Sequence, residues 1–186
     1  MNLTSAALSL PTLPGEGSRL TPESVNIGSE ARRCFEMDLD EPVWNVGVHQ
    51  PLLKKLFRAR EDRLINFSLW TNALLSTTAP IIKEYLPIPA PDKRIDFCLY
   101  IDSRHDPDHR SAAKAETRRQ ELPQTSINHT SYSALSSCPI TVSLETNRSG
   151  NDFEGAVSQM AMWQAAHWKM LRSSVQKTEA ARLGQD

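Results

Sequence analysis

The sequence predicts an α/β fold in which three strands stand between two helical regions, in the order α-β-β-β-α. Leu64–Trp70 alternates apolar and polar side chains with the period of two that indicates a strand. Residues 94–102 and 139–146 are apolar runs rich in β-forming residues, as expected of buried strands. Helices are predicted over Asp40–Phe57 and from Asp152 to about Leu171, the latter because its apolar residues follow a helical period.

The first predicted helix has a recognisable start and an internal interruption. Asp40 is suited to the N-cap, and Glu41 in the first turn favours the helix dipole. Pro51 lacks an amide hydrogen and should kink or split the helix just after His49. Glu41, Asn45 and His49 recur at every fourth position and therefore share one face. That face is either a functional one or the solvated face of a capped surface helix.

The domain organisation follows from composition. Residues 1–29 are rich in proline, glycine, serine and threonine without periodicity, which predicts a disordered leader. Residues 30–175 form the predicted domain, with a polar insertion of no clear pattern at 103–137, and residues 176–186 form a polar tail. Within the insertion, we expect residues 103–125 to be mobile because they offer few apolar groups to offset the entropy of ordering.

Composition limits the function classes. The chain has 186 residues, a net charge of -1 and no basic excess, which argues against tight nucleic-acid binding unless a local patch exists. No apolar stretch approaches the ~18 residues of a membrane span, and the N-terminus lacks the basic start of a secretory signal. The three widely spaced cysteines indicate reduced thiols. We therefore expect an intracellular protein of the nucleus or cytoplasm that has no membrane partner.

Two acidic residues lie in apolar strand contexts. Asp96 opens the second predicted strand and Glu145 ends the third. A buried ionised carboxylate is costly unless it is paired or binds a metal. Two carboxylates on adjacent strands make a hard oxygen site suited to Mg²⁺, which takes one or two carboxylates and keeps several waters. The alternative is that each is a strand-end residue that faces water.

The order of these segments resembles that of PD-(D/E)XK phosphodiesterases, and in more detail fungal proteins with a PD-(D/E)XK nuclease-like domain. The resemblance covers roughly residues 34–172. The matching segments are Asp40-Glu41, Trp44-Asn45, Val48-His49, Asp96-Phe97-Cys98, Ser126-Ile127-Asn128-His129-Thr130, Glu145-Thr146 and Trp163-Gln164-Ala165-Ala166-His167-Trp168, with Ser158-Gln159-Met160-Ala161-Met162-Trp163 similar to the glutamine-aromatic helix of RecB-like nucleases.

This resemblance implies a restriction-endonuclease-like core with a mixed sheet, and a set of roles at the site. Asp96, Glu145 and the backbone carbonyl of Thr146 would bind Mg²⁺, which activates water for attack on a nucleic-acid phosphodiester. Glu41 would be an auxiliary acid. Gln159 would brace the site from the last helix.

The chain departs from the family pattern at two points. Asn147 stands where the family has its catalytic lysine, and a neutral amide neither titrates nor carries positive charge. The chain also ends at Asp186 without the Gly-His-x-Trp-like strand of its relatives, so we expect a C-terminally truncated core that lacks its final strand. Three hypotheses follow: a Mg²⁺-dependent nuclease of doubtful activity, an inactive interaction or nucleic-acid-binding domain, and a truncated product without a function of its own.

Overall fold

The computed structural model describes residues 21–57, 63–70, 81–86, 95–146 and 153–183. Within them the order of elements is α-α-α-β-β-α-β-α, and the α/β class is confirmed. The elements are α1 (Pro22–Glu36), α2 (Glu41–Trp44), α3 (Gln50–Phe57), β1 (Ile65–Leu69), β2 (Phe97–Ile101), α4 (Ser111–Gln120), β3 (Ile140–Leu144) and α5 (Phe153–Leu183).

The sheet places β2 between β1 and β3. Ile65 pairs with Ile101 at one end of the β1–β2 ladder, and Phe97 pairs with Leu144 where β2 meets β3. All three predicted strands are present. The resemblance predicted a mixed sheet, but both strand pairings in the described residues, β1 with β2 and β2 with β3, are antiparallel.

Between α2 and α3, a π-helical turn spans Asn45–His49. The amide of Gln50 donates to the carbonyl of Asn45, five residues earlier, as a π-turn requires. The next residue, Pro51, has no amide hydrogen with which to continue an α-helical ladder. The structure has a π-turn where a kink or split was predicted, and the helix continues through it. Asp40 precedes this helix as its N-cap residue, without a side-chain cap hydrogen bond.

The N-terminal part of the chain corrects one prediction. Residues 22–29, assigned to a disordered leader, lie in α1. The Thr21 hydroxyl accepts a hydrogen bond from the Ser24 amide, and Pro22 occupies the first turn, where its missing amide hydrogen is not needed. Proline, serine and threonine are typical of disordered segments, but Thr21, Pro22 and Ser24 in this order also form a helix start signal. The rest of the predicted leader, residues 1–20, lies outside the described residues.

The polar insertion also contains regular structure that its sequence pattern did not reveal. Helix α4 buries none of its residues, so its sequence has no apolar stripe from which a helix could be predicted. Ion pairs close to one another along the chain support it instead, between Arg119 and Glu116 and between Arg118 and Glu121. The insertion at 103–137 thus contains a helix although its sequence has no clear pattern, because periodicity detects buried faces and this helix has none.

Asn128 holds the end of the insertion against the sheet. Its side chain is 2% exposed, and its Nδ2 donates to the carbonyls of Leu135 (2.7 Å) and Cys138 (3.1 Å). Its Oδ1 accepts from the amide of Ile140 at 2.9 Å, where β3 begins. The buried Ser126 hydroxyl, in turn, accepts from the Asn128 amide. One amide side chain thus satisfies three backbone groups and fixes the start of β3.

Helix α5 covers the sheet through a buried tryptophan. Trp163 is 1% exposed, and its indole Nε1 donates to the Ser143 hydroxyl of β3 at 2.8 Å. The ring packs edge-on against Trp70 and His129, with ring centroids 5.5 and 4.5 Å away. The helix continues through residues 176–183 of the predicted polar tail. Neither α5 nor any other helix in the described part of the chain is long and apolar enough to cross a membrane.

Candidate active site

The two candidate carboxylates meet at one end of the β2–β3 pair. Asp96 immediately precedes β2 and Glu145 immediately follows β3. Because the strands are antiparallel and Phe97 pairs with Leu144, the start of one strand lies beside the end of the other. The Asp96 amide donates to the Leu144 carbonyl at 3.1 Å, which continues the ladder up to the acidic residues. The sheet therefore brings these carboxylates together, as the strand order predicts.

Asp96 is buried at the centre of a hydrogen-bond network. Its Oδ1 accepts from Asn45 Nδ2 at 3.0 Å. Its Oδ2 accepts from the backbone amide and the hydroxyl of Thr146, at 2.7 and 2.6 Å. Three donors thus occupy three of the roughly four lone-pair sites of the carboxylate. These bonds join the π-turn, the start of β2 and the end of β3 at a single side chain.

The network extends from Asp96 to a histidine through Asn45, which is fully buried. The Oδ1 of Asn45 lies 2.9 Å from His49 Nδ1 and 2.8 Å from the Thr146 hydroxyl. The His49 ring stacks on Trp44 and meets the edge of Phe97. Burial lowers the pKa of His49, against the opposing effect of the Asp96 charge, so the ring is neutral near pH 7.

One carboxylate oxygen of Glu145 accepts a hydrogen bond, and the other has no hydrogen-bond partner. Gln159 Nε2, on α5, donates to Glu145 Oε1 at 2.7 Å. Glu145 Oε2 is buried and has no hydrogen-bond partner. Burial, followed by the charge of Asp96, raises the pKa of Glu145 to about 7. Burial and then Asp96 also raise the pKa of Glu41, so the charge of Asp96 disfavours the ionisation of both glutamates.

The structure thus gathers most of the residues expected at the site. Asp96, Glu145, Gln159 and Glu41 lie together. Thr146 reaches the site through its amide and hydroxyl, whereas its backbone carbonyl was the group predicted to act there. Asn147 lies outside the described residues. The strand predicted to continue to residue 146 ends at Leu144.

No sequence pattern indicated specific roles for Asn45 and His49. Their shared spacing with Glu41 was the available signal. It could not identify their partners, because Asp96 and Thr146 are 51 and 101 residues away along the chain from Asn45.

The donor chemistry of the site fits a divalent cation. In the described part of the chain, no group of three or more histidine, cysteine or acidic side chains forms a complete metal cage. Mg²⁺ needs no such cage, because it keeps waters and takes one or two carboxylates. Glu145 Oε2 is a buried oxygen without a partner, and the charge of Asp96 acts on the same carboxyl group. A cation here would satisfy Oε2 and relieve the repulsion among the carboxylates.

The raised pKa of Glu145 predicts a stabilising substitution. Without metal, Glu145→Gln should raise the free energy of unfolding at pH 8 by about 1–2 kcal/mol, a value discounted for the partial exposure of Glu145. Between its ordinary pKa of 4.5 and about 7, Glu145 binds more proton in the folded than in the unfolded chain. Its contribution to stability therefore falls as pH rises through this interval, and the advantage of glutamine grows. Urea denaturation with a chelator at pH 5, 6, 7 and 8 measures the trend.

Glu154→Gln is the matched control, because Glu154 is an exposed acid in the first turn of α5. Its effect on the unfolding free energy should vary little over the same pH range. A difference between wild type and Glu145→Gln that stays constant from pH 5 to pH 8 would contradict the electrostatic origin of the effect.

Comparison with known proteins identifies the family. The sequence model of the PD-(D/E)XK nuclease superfamily matches residues 6–185, almost the whole chain. The chain belongs to the PD-(D/E)XK nuclease superfamily, and its three-stranded sheet with flanking helices is consistent with a restriction-endonuclease-like core. A search of curated proteins gave no match, and a search of solved structures gave none either.

Proposed function

We propose that this chain binds Mg²⁺ through Asp96 and Glu145 and slowly hydrolyses phosphodiester bonds of a nucleic acid. The observation that carries the proposal is Glu145 Oε2, a buried carboxylate oxygen without a partner beside Asp96 in a chain of this superfamily. Structural carboxylates are normally satisfied by hydrogen bonds. A ligand site for a cation accounts for this unsatisfied oxygen.

The protein side chains position the two acids. Asn45 and Thr146 fix Asp96, while Gln159 fixes Glu145 from α5. When bound, Mg²⁺ supplies Lewis acidity and lowers the pKa of water. Asn147, at the position of the family's lysine, brings no positive charge to the transition state. Loss of one such stabilising group costs on the order of 10²–10³ in rate, which is why we expect slow hydrolysis.

A cationic face on α4 is suited to the backbone of a nucleic acid. Arg110, Lys114 and Arg118 recur at every fourth position and line an open groove of about 470 Å³. In the structure they pair with Asp108 and Glu121 at the surface. Such exposed ion pairs contribute little to stability, so phosphate oxygens can compete for the same cations.

The proposal is tested by metal binding and cleavage in the same samples. Mg²⁺ should raise the melting temperature of the wild-type chain at pH 8 and produce slow cleavage of single-stranded or double-stranded DNA or RNA. Glu145→Ala should abolish both effects because it removes a ligand. Thermal unfolding with and without Mg²⁺, calorimetric titration with Mg²⁺ and a fluorescent cleavage assay over hours measure Mg²⁺ binding and cleavage.

Glu154→Ala is the control, since it removes an exposed acid of α5 that is not part of the site. It should keep both Mg²⁺ binding and cleavage. A folded wild-type chain that neither binds Mg²⁺ nor cleaves any of these substrates would refute the proposal. Cleavage that persists in Glu145→Ala would show a contaminating nuclease or a different site.

A second candidate function is a catalytically inactive domain that binds a nucleic acid or a protein partner. The observation in its favour is Asn147, because the substitution removes the family's catalytic cation. Retention of a labelled nucleic acid by the wild-type chain, without cleavage at any Mg²⁺ concentration, would favour this candidate.

A further inference from the structure

The hydrogen bonds around Asn45 determine which nitrogen of His49 carries the proton. Oδ2 of Asp96 accepts from the Thr146 backbone amide, a donor with only one orientation. The Asp96 carboxylate therefore faces donors, and Asn45 directs its Nδ2 to Asp96 Oδ1. The Asn45 Oδ1 is then left to face His49 Nδ1 at 2.9 Å. A carbonyl oxygen only accepts, so Nδ1 must carry the hydrogen.

The neutral ring consequently has its lone pair on Nε2. Neutral imidazole has one protonated and one unprotonated nitrogen, and the partner of one nitrogen fixes the state of the other. Within the described part of the chain, the bond to Asn45 is the one hydrogen bond made by the His49 ring. The π-turn places His49 and Asn45 next to each other, and such turns recur at functional sites.

We propose that His49 is the general base of this site and that Asn45 is the residue that positions it. This inference rests on the proposed phosphodiesterase function, and it gives the site a group that accepts the proton of the attacking water although Asn147 replaces the lysine. The neutral state that burial favours for His49 is the state a base requires.

In the proposed step, the oxygen of a water molecule bonds to phosphorus while one of its protons moves to His49 Nε2. The bond between phosphorus and the leaving oxygen breaks, and that oxygen keeps the electron pair and takes a proton from solvent. The second proton of the attacking water stays on the product phosphate, which then ionises. The imidazolium returns its proton to solvent, so no other reactant is needed.

The tautomer is tested directly by ¹⁵N NMR of the wild-type chain at pH 8, with and without Mg²⁺. His49 should show a protonated Nδ1 and an unprotonated Nε2. Asn45→Ala should remove this preference, whereas Asn26→Ala, an exposed change in α1, should leave it intact. A wild-type ring protonated on Nε2 would overturn the inference without any measurement of activity.

The catalytic role is tested in cleavage assays with Mg²⁺. His49→Ala should lower the rate about 10²-fold or more, the usual contribution of a general base, and leave Mg²⁺ affinity unchanged. Added imidazole should restore part of the rate in His49→Ala, which a purely structural role for His49 does not allow. His49→Phe, which keeps an aromatic ring between Trp44 and Phe97, should be as slow and should not respond to imidazole.

His109→Ala is the matched histidine control, because His109 is exposed in the insertion, and its rate should equal that of wild type. Full activity in His49→Ala together with loss in Glu145→Ala would overturn the role of His49 and leave the proposed function standing. A wild-type chain without Mg²⁺-dependent hydrolysis would overturn both.

Discussion

Asn128→Ala is expected to lower the free energy of unfolding by about 3–5 kcal/mol, a large part of the stability of a domain of this size. The substitution removes both donors to the Leu135 and Cys138 carbonyls and the acceptor for the Ile140 amide. These backbone groups lie around a side chain that is almost fully buried, so water does not simply replace it. Urea denaturation followed by circular dichroism measures the loss.

Two further variants identify the origin of that loss. Asn128→Asp keeps an acceptor for Ile140 but loses both donors and adds a buried charge, so it should destabilise the chain at least as strongly at neutral pH. Asn26→Ala, an exposed change in α1, should alter the unfolding free energy by no more than about 0.5 kcal/mol. If Asn128→Ala were as mild as Asn26→Ala, the network would be unimportant for stability.

Asn147→Lys is expected to raise the rate of Mg²⁺-dependent cleavage about 10²-fold. The substitution restores the cation of the family pattern two residues after Glu145 in the sequence, and in the proposed reaction this cation would stabilise the negative charge that develops on the phosphate. Mg²⁺ affinity should change little, because asparagine and lysine at this position are not the proposed ligands. Initial rates at saturating Mg²⁺ on a single fluorescent substrate measure the gain.

Asn147→Gln is the matched control for the positive charge. It lengthens the side chain but stays neutral, so the cleavage rate should not rise. The double variant Asn147→Lys with Glu145→Ala should be inactive. A folded Asn147→Lys chain that cleaves no faster than wild type would show that the missing lysine does not limit the reaction.

Sequence alone predicts the elements whose apolar and polar side chains follow a regular pattern along the chain. The alternation of Leu64–Trp70 predicts β1, and the apolar runs around Asp96 and Glu145 predict the paired strands that bring these acids together. Glu41 lies one helical turn before Asn45, so their common face was also visible.

The parts that escaped prediction depend on contacts distant in sequence or on polar groups. The partners of Asn45 lie 51 and 101 residues away, and no local pattern encodes those hydrogen bonds. Helix α4 is supported by ion pairs without a buried stripe, so hydrophobic periodicity could not detect it. The role of Asn128 rests on backbone carbonyls, which every sequence has and which only the fold places.

The π-turn at Asn45–His49 has a consequence for how this chain aligns with others. A π-turn contains one more residue than an α-turn, and each residue of an α-helix rotates the chain by about 100°. Deletion of Gly47 would remove the extra residue of the π-turn. With α3 held on β1, Glu41 and Asn45 would swing by roughly that angle away from Asp96. An alignment of this segment with a regular helix therefore needs a one-residue gap within residues 45–49, and its placement decides which side chain is equated with Asn45.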